Sequence, residues 1–545
     1  MFTKAQIESI VSGATGFPLR KEYQPTAIAT MINGYFGDSG ALKILCGCGG
    51  GKSIMMGASI VLAVIHGAKK VVITAPTIAL CRQLEDTLID LFANFAKSGQ
   101  KIPKGIKFFN VSCDGKPNTK VLTKEEIDEE TEGLEDRKGT SRETESNEGC
   151  LLIKATRDTS LDHEIIRKEI EIDAVSIFFV CKPSFLKSFQ ILVAEVAKER
   201  DDDEFVIDIS CHDEFHNFIS QERNDRTRSI LTKYKNYSKH NWFFSASKKQ
   251  GERFSWTDPL FGDIAIDVPT YQLVNWGYLV PELKIYLVTA GMIKGISDAI
   301  RQYFGQLNVP DAEKFYREAA VIFAVIEHQL KISSIPKIIH FSSAVAFIRT
   351  MIKSPEFRIA LDKVMSGLIC YQMDGGTKKD ARAEIFENLR SATEEMAYCL
   401  LQHSTCKEGI DCPNFNVATI CRGMSEISLQ QALGRVQRTS FGKEIAYLYL
   451  FVNGDEGQLA KLATFLHYNF DRYNYSIYPI TDDYIGKPKG GQEFPNLDDI
   501  KIPMKNGKVT IIEYIEHLRA KEEQLKRLFD LSVLSEEKLD AACPI

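Results

Sequence analysis

The sequence predicts an α/β protein of two tandem domains built on parallel sheets, and three observations carry that expectation. Short β-rich runs alternate with helical stretches, the alternation restarts near Lys337, and 545 residues exceed what one hydrophobic core sustains. In the first half, residues 43–45 read as a strand, 47–52 as a glycine-rich turn and 53–65 as a helix. A short strand follows at 71–74, then a helix at 79–95. Further strands fall at 205–209, 242–245 and 283–288. These strands are largely apolar, as expected of strands covered by helices on both faces. In the second half, strands fall at 338–341, 396–401, 417–420 and 445–451, with helices running to about 352 and over 385–390. The expected divisions are 1–285, 286–455 and a mainly helical C-terminal extension, 456–545. That extension holds a Pro/Gly/Asp-rich stretch at 479–503 and a charged helix around 512–528, and its role is unassigned.

Composition excludes several classes. Hydrophobic residues make up 44% and charged residues 26%, as in globular rather than disordered or fibrous proteins. The longest apolar candidate for a membrane span, 58–65, stops at His66 and meets Lys69 and Lys70, so it reads as a buried helix. Residues 1–10 carry Lys4 and Glu8 with no apolar signal region, which points to an intracellular protein, cytoplasmic or of a nuclear or viral replication compartment. The thirteen cysteines are odd in number, scattered and set in apolar runs, the pattern of reduced core thiols. Cys46 and Cys48 lack a second close pair at zinc spacing.

Net charge is -6, but its distribution matters more than its sum. Residues 121–150 hold eleven acids and four bases, a net of -7, which leaves the rest of the chain at +1. The acidic segment reads as a solvated insertion in the first domain. The near-neutral remainder leaves a polynucleotide partner open.

Three constellations carry chemistry. Gly47, Gly49, Gly50, Gly51, Lys52 and Ser53 join a strand to a helix. Glycines let backbone N–H groups approach phosphate oxygens, Lys52 suits the β- and γ-phosphates, and Ser53 Oγ suits Mg²⁺. Cys46 stands where the general phosphate-loop pattern has its first glycine. Asp213 and Glu214 follow the strand at 205–209, where a hard cation needs a carboxylate and an attacking water needs a base. Gln431, Gly434, Arg435 and Arg438 are spaced to share one face of a helix, either a solvated stripe or a source of arginine fingers.

The order of these segments resembles that of the superfamily two helicases over roughly residues 19–455. Leu19, Arg20, Tyr23 and Gln24 resemble the adenine-reading Q motif. The glycine loop resembles motif I, and Thr74 to Gln83 (TAPTIALCRQ) resembles motif Ia, with Thr77 in its backbone-contacting position. Val180 to Phe185 (VCKPSF) resembles motif Ic, DEFH at Asp213 resembles motif II in its DExH form, and Phe243 to Ser247 (FFSAS) resembles motif III. His340 to Ser343 (HFSS) is similar to motif IV, Ser404 to Pro413 (STCKEGIDCP) to motif V and Gln431 to Arg438 (QALGRVQR) to motif VI. The segment from Asp258 to Pro281 is similar to the branch holding type III restriction translocases, XPB and phage recombination helicases.

The resemblance implies two RecA-like domains with an ATP cleft between them, fuelled by ATP and Mg²⁺. Gln24, Gly49, Gly50, Gly51, Lys52, Ser53, Gly409 and Asp411 would contact the nucleotide, and Ser53 and Asp213 the metal. Glu214 would orient the water, with Gln431, Arg435 and Arg438 completing catalysis. Thr77, Lys182, Ser184, Ser343 and Thr405 would grip nucleic acid, and His216, Ser245 and Ser247 would couple the two functions. The expected activity is a DNA helicase or translocase, with DNA favoured over RNA, no membrane partner, and protein partners reached through the extension or the acidic insertion. An RNA helicase, or an ATP-binding scaffold without motor activity, are the alternatives.

Overall fold

The computed structural model describes residues 1–16, 18–37, 40–111, 163–200, 205–219, 225–248, 255–304, 309, 311–403, 412–440, 442–452, 456–470, 475–480, 501–504, 507–518 and 520. The chain divides into two compact units, Met1–Val268 and Pro269–Ile545. The acidic segment 121–150 lies outside the described residues, as does the motif V stretch 404–411, with Thr405, Gly409 and Asp411.

The first unit holds β1 (Ala41–Cys46), β2 (Lys70–Ala75), β3 (Lys107–Val111), β4 (Ser176–Cys181), β5 (Ile207–His212), β6 (Ser238–Ser245) and β7 (Asp263–Val268). They form one seven-stranded sheet in the order β3-β4-β2-β5-β6-β1-β7, with every neighbouring pair parallel. Its main helices include α1 (Lys4–Thr15), α2 (Gln24–Phe36), α3 (Lys52–Ile65) and α4 (Ile78–Lys97). Every residue of β1, β2 and β4 is buried, as the apolar runs require of strands covered on both faces.

The second unit holds β8 (Glu282–Thr289), β9 (Lys337–Phe341), β10 (Ile369–Met373), β11 (Tyr398–Gln402), β12 (Val417–Ile420), β13 (Ile445–Val452) and β14 (Tyr475–Pro479). Its sheet is again seven-stranded and parallel, in the order β10-β11-β9-β12-β13-β8-β14. Counted from its own first strand, that order repeats the order of the first unit strand for strand. The two units are therefore the same RecA-like design used twice, as the sequence predicts. One continuous core joins β8 to the long helix Ala312–Lys331, whose buried residues from Phe315 to Ile326 are apolar except for Glu318.

Two sequence expectations need correction. A boundary at 285/286 would cut β8, which pairs along its whole length with β13; the chain divides instead at Val268/Pro269. Nor do the described residues that open the C-terminal extension stand apart from the second unit. The helix Glu456–Asn469 buries Leu459, Leu462 and Leu466 in the second core, and β14 pairs with β8 as an edge strand of that sheet. A short antiparallel hairpin, Lys501–Met504 with Gly507–Thr510, follows. Among the described residues no helix is long and apolar enough to cross a membrane.

One close approach in the first unit offers a test. Gly262 has φ +70°, and a Cβ there would lie 2.0 Å from the Ala41 carbonyl oxygen at the start of β1. Backbone strain and overpacking each cost about 1–3 kcal/mol. Gly262→Ala should therefore lower stability by about 3 kcal/mol or more. Urea unfolding that returned a wild-type midpoint would show that β1 and this turn do not meet so closely.

Candidate nucleotide site

The glycine loop leaves the C-terminal end of β1 and enters α3 at Lys52, the crevice position where parallel sheets bind ligands. Gly49 and Gly51 hold left-handed backbone, φ 80° and 75°. Gly51 is the N-cap of α3 and offers no side-chain cap, so the first turn presents backbone N–H groups and the positive end of the helix dipole. That is the chemistry a phosphate needs. Glycine suits position 51 because its backbone is left-handed and a Cβ, 2.4 Å from Gln24 Nε2, would displace that side chain.

Residues 20–24 clamp this loop from outside. Arg20 Nη1 donates to the Gly49 carbonyl at 2.7 Å, Tyr23 OH to the Gly50 carbonyl at 2.6 Å, and Gln24 Nε2 to the same carbonyl at 3.2 Å. Gln24 Oε1 accepts from the Arg20 amide at 2.9 Å. Arg20 is thus a direct support of the phosphate loop, which no loop-spacing rule in the sequence reveals.

Asp213 and Glu214 lie just past β5, with the Asp213 amide donating to the Thr74 carbonyl at 2.8 Å. Glu214 takes left-handed backbone, φ 48° and ψ 49°, one of three non-glycine residues with positive φ among the described residues. Such strain in a non-glycine residue is a mark of functional turns. The turn aims Glu214 Oε1 at Lys52 Nζ, 3.5 Å away. Burial works against the Lys52 charge, and the Glu214 carboxylate, with Cys48, Asp213 and Cys46, more than offsets it, raising the ammonium above its ordinary range. Burial likewise pushes the Glu214 carboxyl up, but Lys52 and His216 reverse this and hold it below the usual carboxylate range.

A line of close polar contacts runs from Glu214 across to the end of β6. His216 Nδ1 lies 3.2 Å from Glu214 Oε2 and 2.9 Å from Ser245 Oγ. Ser245 Oγ donates to the Ser247 carbonyl at 2.9 Å and accepts from the Ser247 amide at 2.9 Å. Its one proton is thus engaged, so His216 Nδ1 is the donor to Ser245. The three residues expected to couple the two functions are brought into one line behind the candidate base.

The expected nucleic-acid contacts fare differently. Thr77 is exposed at the end of β2, where its Oγ1 caps α4 by accepting from the Leu80 amide at 3.3 Å. Lys182 follows β4, but its ammonium donates to the Asn217 carbonyl and lies 5.5 Å from the Phe218 ring centre. Ser184 must be corrected: it is fully buried, with Oγ 3.0 Å from Cys181 Sγ, because it faces the core from the first turn after β4. Ser343 turns inward as well, its amide and hydroxyl both donating to Glu318 Oε2, at 3.0 and 2.6 Å.

Glu318 was not singled out from sequence. It is buried on the helix Ala312–Lys331, where its other oxygen meets Ser342 Oγ and, at 3.2 Å, His340 Nε2. His340 Nδ1 in turn pairs with Thr419 Oγ1 at 2.9 Å. A carboxylate inside an otherwise apolar helix stretch was the available signal. Cys421 stands beside Glu318 and His340, but the carboxylate oxygens are already engaged by four donors, so hydrogen bonding accounts for the cluster without a metal.

On the second unit, Gln431 and Arg435 lie on the helix Glu426–Val436, three and four residues from Gly434 and Gln431 respectively, as expected. Arg438 does not continue that face. The helix ends before it, and Arg438 sits in an antiparallel bridge to Leu279, with the Val280 amide donating to the Gln437 carbonyl at 2.8 Å. Arg435 is buried and Arg438 half-buried.

Residues 18–244 match the family described as type III restriction enzyme, res subunit, and residues 321–440 match the helicase conserved C-terminal domain. The chain belongs to the superfamily two helicases. It is an enzyme of the ATPase/helicase class, a family whose members use ATP with a divalent metal. No curated protein sequence matches this superfamily two chain. Among solved structures it is similar to the ATP-dependent Type ISP restriction-modification enzyme LlaBIII bound to DNA, at 13% identity and a TM-score of 0.57, over 84% of this chain and 31% of that one. It is also similar to Mss116p bound to ssRNA and AMP-PNP, at 13% identity and a TM-score of 0.50, over 89% of this chain and 83% of that one. A third likeness is to the DUF1998 helicase MrfA bound to DNA and AMPPNP, at 12% identity and a TM-score of 0.50, over 88% and 54%. At these identities the likeness is one of fold. The chain spans about a third of the length of LlaBIII and about half that of MrfA.

Proposed function

We propose that this chain is an ATP-driven motor on DNA, a helicase or translocase that couples nucleotide hydrolysis to closure of its two units. The observation that carries this reading is the continuous line from Lys52 through Glu214 and His216 to Ser245 and Ser247, which joins a phosphate cradle to a second strand end. In this reading Gly49, Gly50, Gly51 and Lys52 hold the phosphates, and Ser53 and Asp213 hold Mg²⁺, which neutralises charge on the β- and γ-oxygens. Gln24 keeps capacity for one further bond at each amide atom, enough for an adenine edge. Glu214 orients and deprotonates the water. Arg435 and Arg438, with Gln431, complete the site from the second unit, and Gly409 and Asp411 contribute from the stretch between them. Thr77, Lys182, Ser343 and Thr405 track the nucleic-acid backbone, Lys182 and Ser343 by exchanging their internal partners for phosphate.

DNA is favoured because the longer family match is to a restriction-enzyme subunit and two of the similar structures were solved on DNA. RNA is the second reading, on the likeness to Mss116p bound to ssRNA. ATP turnover measured in parallel with single-stranded, duplex and forked DNA and with RNA separates them. We expect the largest stimulation with a DNA effector. Stimulation by RNA alone would reverse the assignment, and stimulation by none would leave a nucleotide-binding scaffold.

A further inference from the structure

Lys443 stands between the last helix of motif VI and β13, and nothing in the sequence pattern marks it. Its ammonium donates to two backbone carbonyls from different segments, Pro413 at 2.9 Å and Arg438 at 2.6 Å. Pro413 closes the motif V stretch that precedes β12, whereas Arg438 closes motif VI. The side chain is only partly exposed, and the charged groups facing it are the Arg438 guanidinium and the Lys337 ammonium, with the Cys412 thiol beside them. Burial, reinforced by these two cations, brings the Lys443 ammonium down to about 7, with only the Cys412 thiol opposing. Glu394 lies beside Gly442 and acts on Lys337, while the two cations acting on Lys443 itself raise the free energy of its charged amine. The two short hydrogen bonds are what the arrangement gains in return.

We infer that Lys443 is a positioning residue for Arg438: it ties the end of motif V to the end of motif VI and so fixes the backbone from which the Arg438 guanidinium projects. Three constraints then meet on this short segment: the Leu279 bridge on Arg438, the Val280 amide on the Gln437 carbonyl, and the Lys443 ammonium on the Arg438 carbonyl. The first two come from the segment leading into β8. Lys443 adds a link to Pro413, so the end of motif V and the arginine of motif VI are held together. A guanidinium reaching a phosphate needs that precision, because a misplacement of about 1 Å can cost about 10²-fold in rate.

This inference rests on the proposed role of Arg438, and the test keeps the two separable. Polynucleotide-stimulated kcat and the KM for ATP are measured for Lys443→Met, Lys443→Arg, Arg438→Ala and the Lys443→Met/Arg438→Ala double variant, each alongside thermal unfolding. Lys443→Met should lower stimulated kcat by about 10- to 10²-fold with KM for ATP little changed, the signature of a lost transition-state interaction. Lys443→Arg, which keeps a charged donor, should recover most of that loss. In the double variant Lys443→Met should add little to Arg438→Ala, since residues acting through one group are non-additive. A Lys443→Met chain that folds and keeps wild-type kcat while Arg438→Ala collapses overturns this inference alone. Full turnover in Arg438→Ala overturns the reading beneath it. If neither Lys443→Met nor Lys443→Gln folds, or if the loss simply adds to that of Arg438→Ala, the lysine is a staple of the fold and not a positioning residue.

Discussion

Glu214→Gln should lower polynucleotide-stimulated ATP turnover by about 10²- to 10⁴-fold, the contribution of a well-placed general base, while the chain still binds ATP. The carboxylate is strained into place: left-handed backbone at Glu214 sets Oε1 3.5 Å from Lys52 Nζ and Oε2 3.2 Å from His216 Nδ1. Gln keeps the shape and an acceptor for His216, and leaves Lys52 to the phosphates. Lys52→Ala should abolish turnover by another route, through loss of nucleotide affinity. It also takes from Glu214 its lysine partner in a site where both side chains are less than 15% exposed. Removing one member of such a pair is strongly destabilising. Thermal unfolding separates the two variants. Saturating ATP with Mg²⁺ should raise the Tm of Glu214→Gln about as it raises wild type, because only a ligand bound to the folded state stabilises it. It should leave the Tm of Lys52→Ala unmoved. Equal loss of nucleotide affinity in both variants would remove the distinction between phosphate holder and base.

Most of the fold was legible because buried parallel strands write themselves as largely apolar runs. β1, β2, β6, β8, β9, β11, β12 and β13 are all anticipated to within a few residues. Of the strands that were not, β4 is an inner one, and β3, β7, β10 and β14 are the four outer strands of the two sheets. Their sequences, KFFNV, DIAIDV, ICYQM and YSIYP, mix polar with apolar residues, since an edge strand has a neighbour on one side only and partial cover on its faces. Missing β14 is what made the C-terminal part look separate.

The site shows the same division. The phosphate loop, Asp213 and Glu214 are contiguous in sequence, so spacing reveals them. Arg20 on Gly49, Glu318 beneath Ser343 and Lys443 on Arg438 join residues 22 to 29 apart or turn on a backbone carbonyl, which no side-chain pattern records. Helical spacing also misled once. Extending the period of the helix Glu426–Val436 to Arg438 placed on its face a residue that the bridge to Leu279 had already drawn off it.

That difference gives Arg435 and Arg438 separate expected behaviour. Arg438→Ala should lower stimulated turnover by roughly 10³- to 10⁵-fold, the worth of an arginine finger in phosphoryl transfer, with Tm and nucleotide affinity close to wild type. Its side chain is half-buried, and its backbone is held by groups that the substitution leaves in place. Arg435 is buried in the last turn of its helix, so Arg435→Ala should lose turnover and also lower Tm, as truncating a buried guanidinium disturbs the partners it leaves behind. Arg435→Lys should restore Tm better than turnover, because an ammonium fills much of the space but lacks the planar fork that reaches two oxygens at once. Nucleotide affinity is read by titration with a fluorescent analogue, and turnover with and without saturating polynucleotide. Should both alanine variants retain full stimulated turnover, the residues of the first unit would suffice for hydrolysis. Closure of the two units would then have no part in coupling ATP to the track.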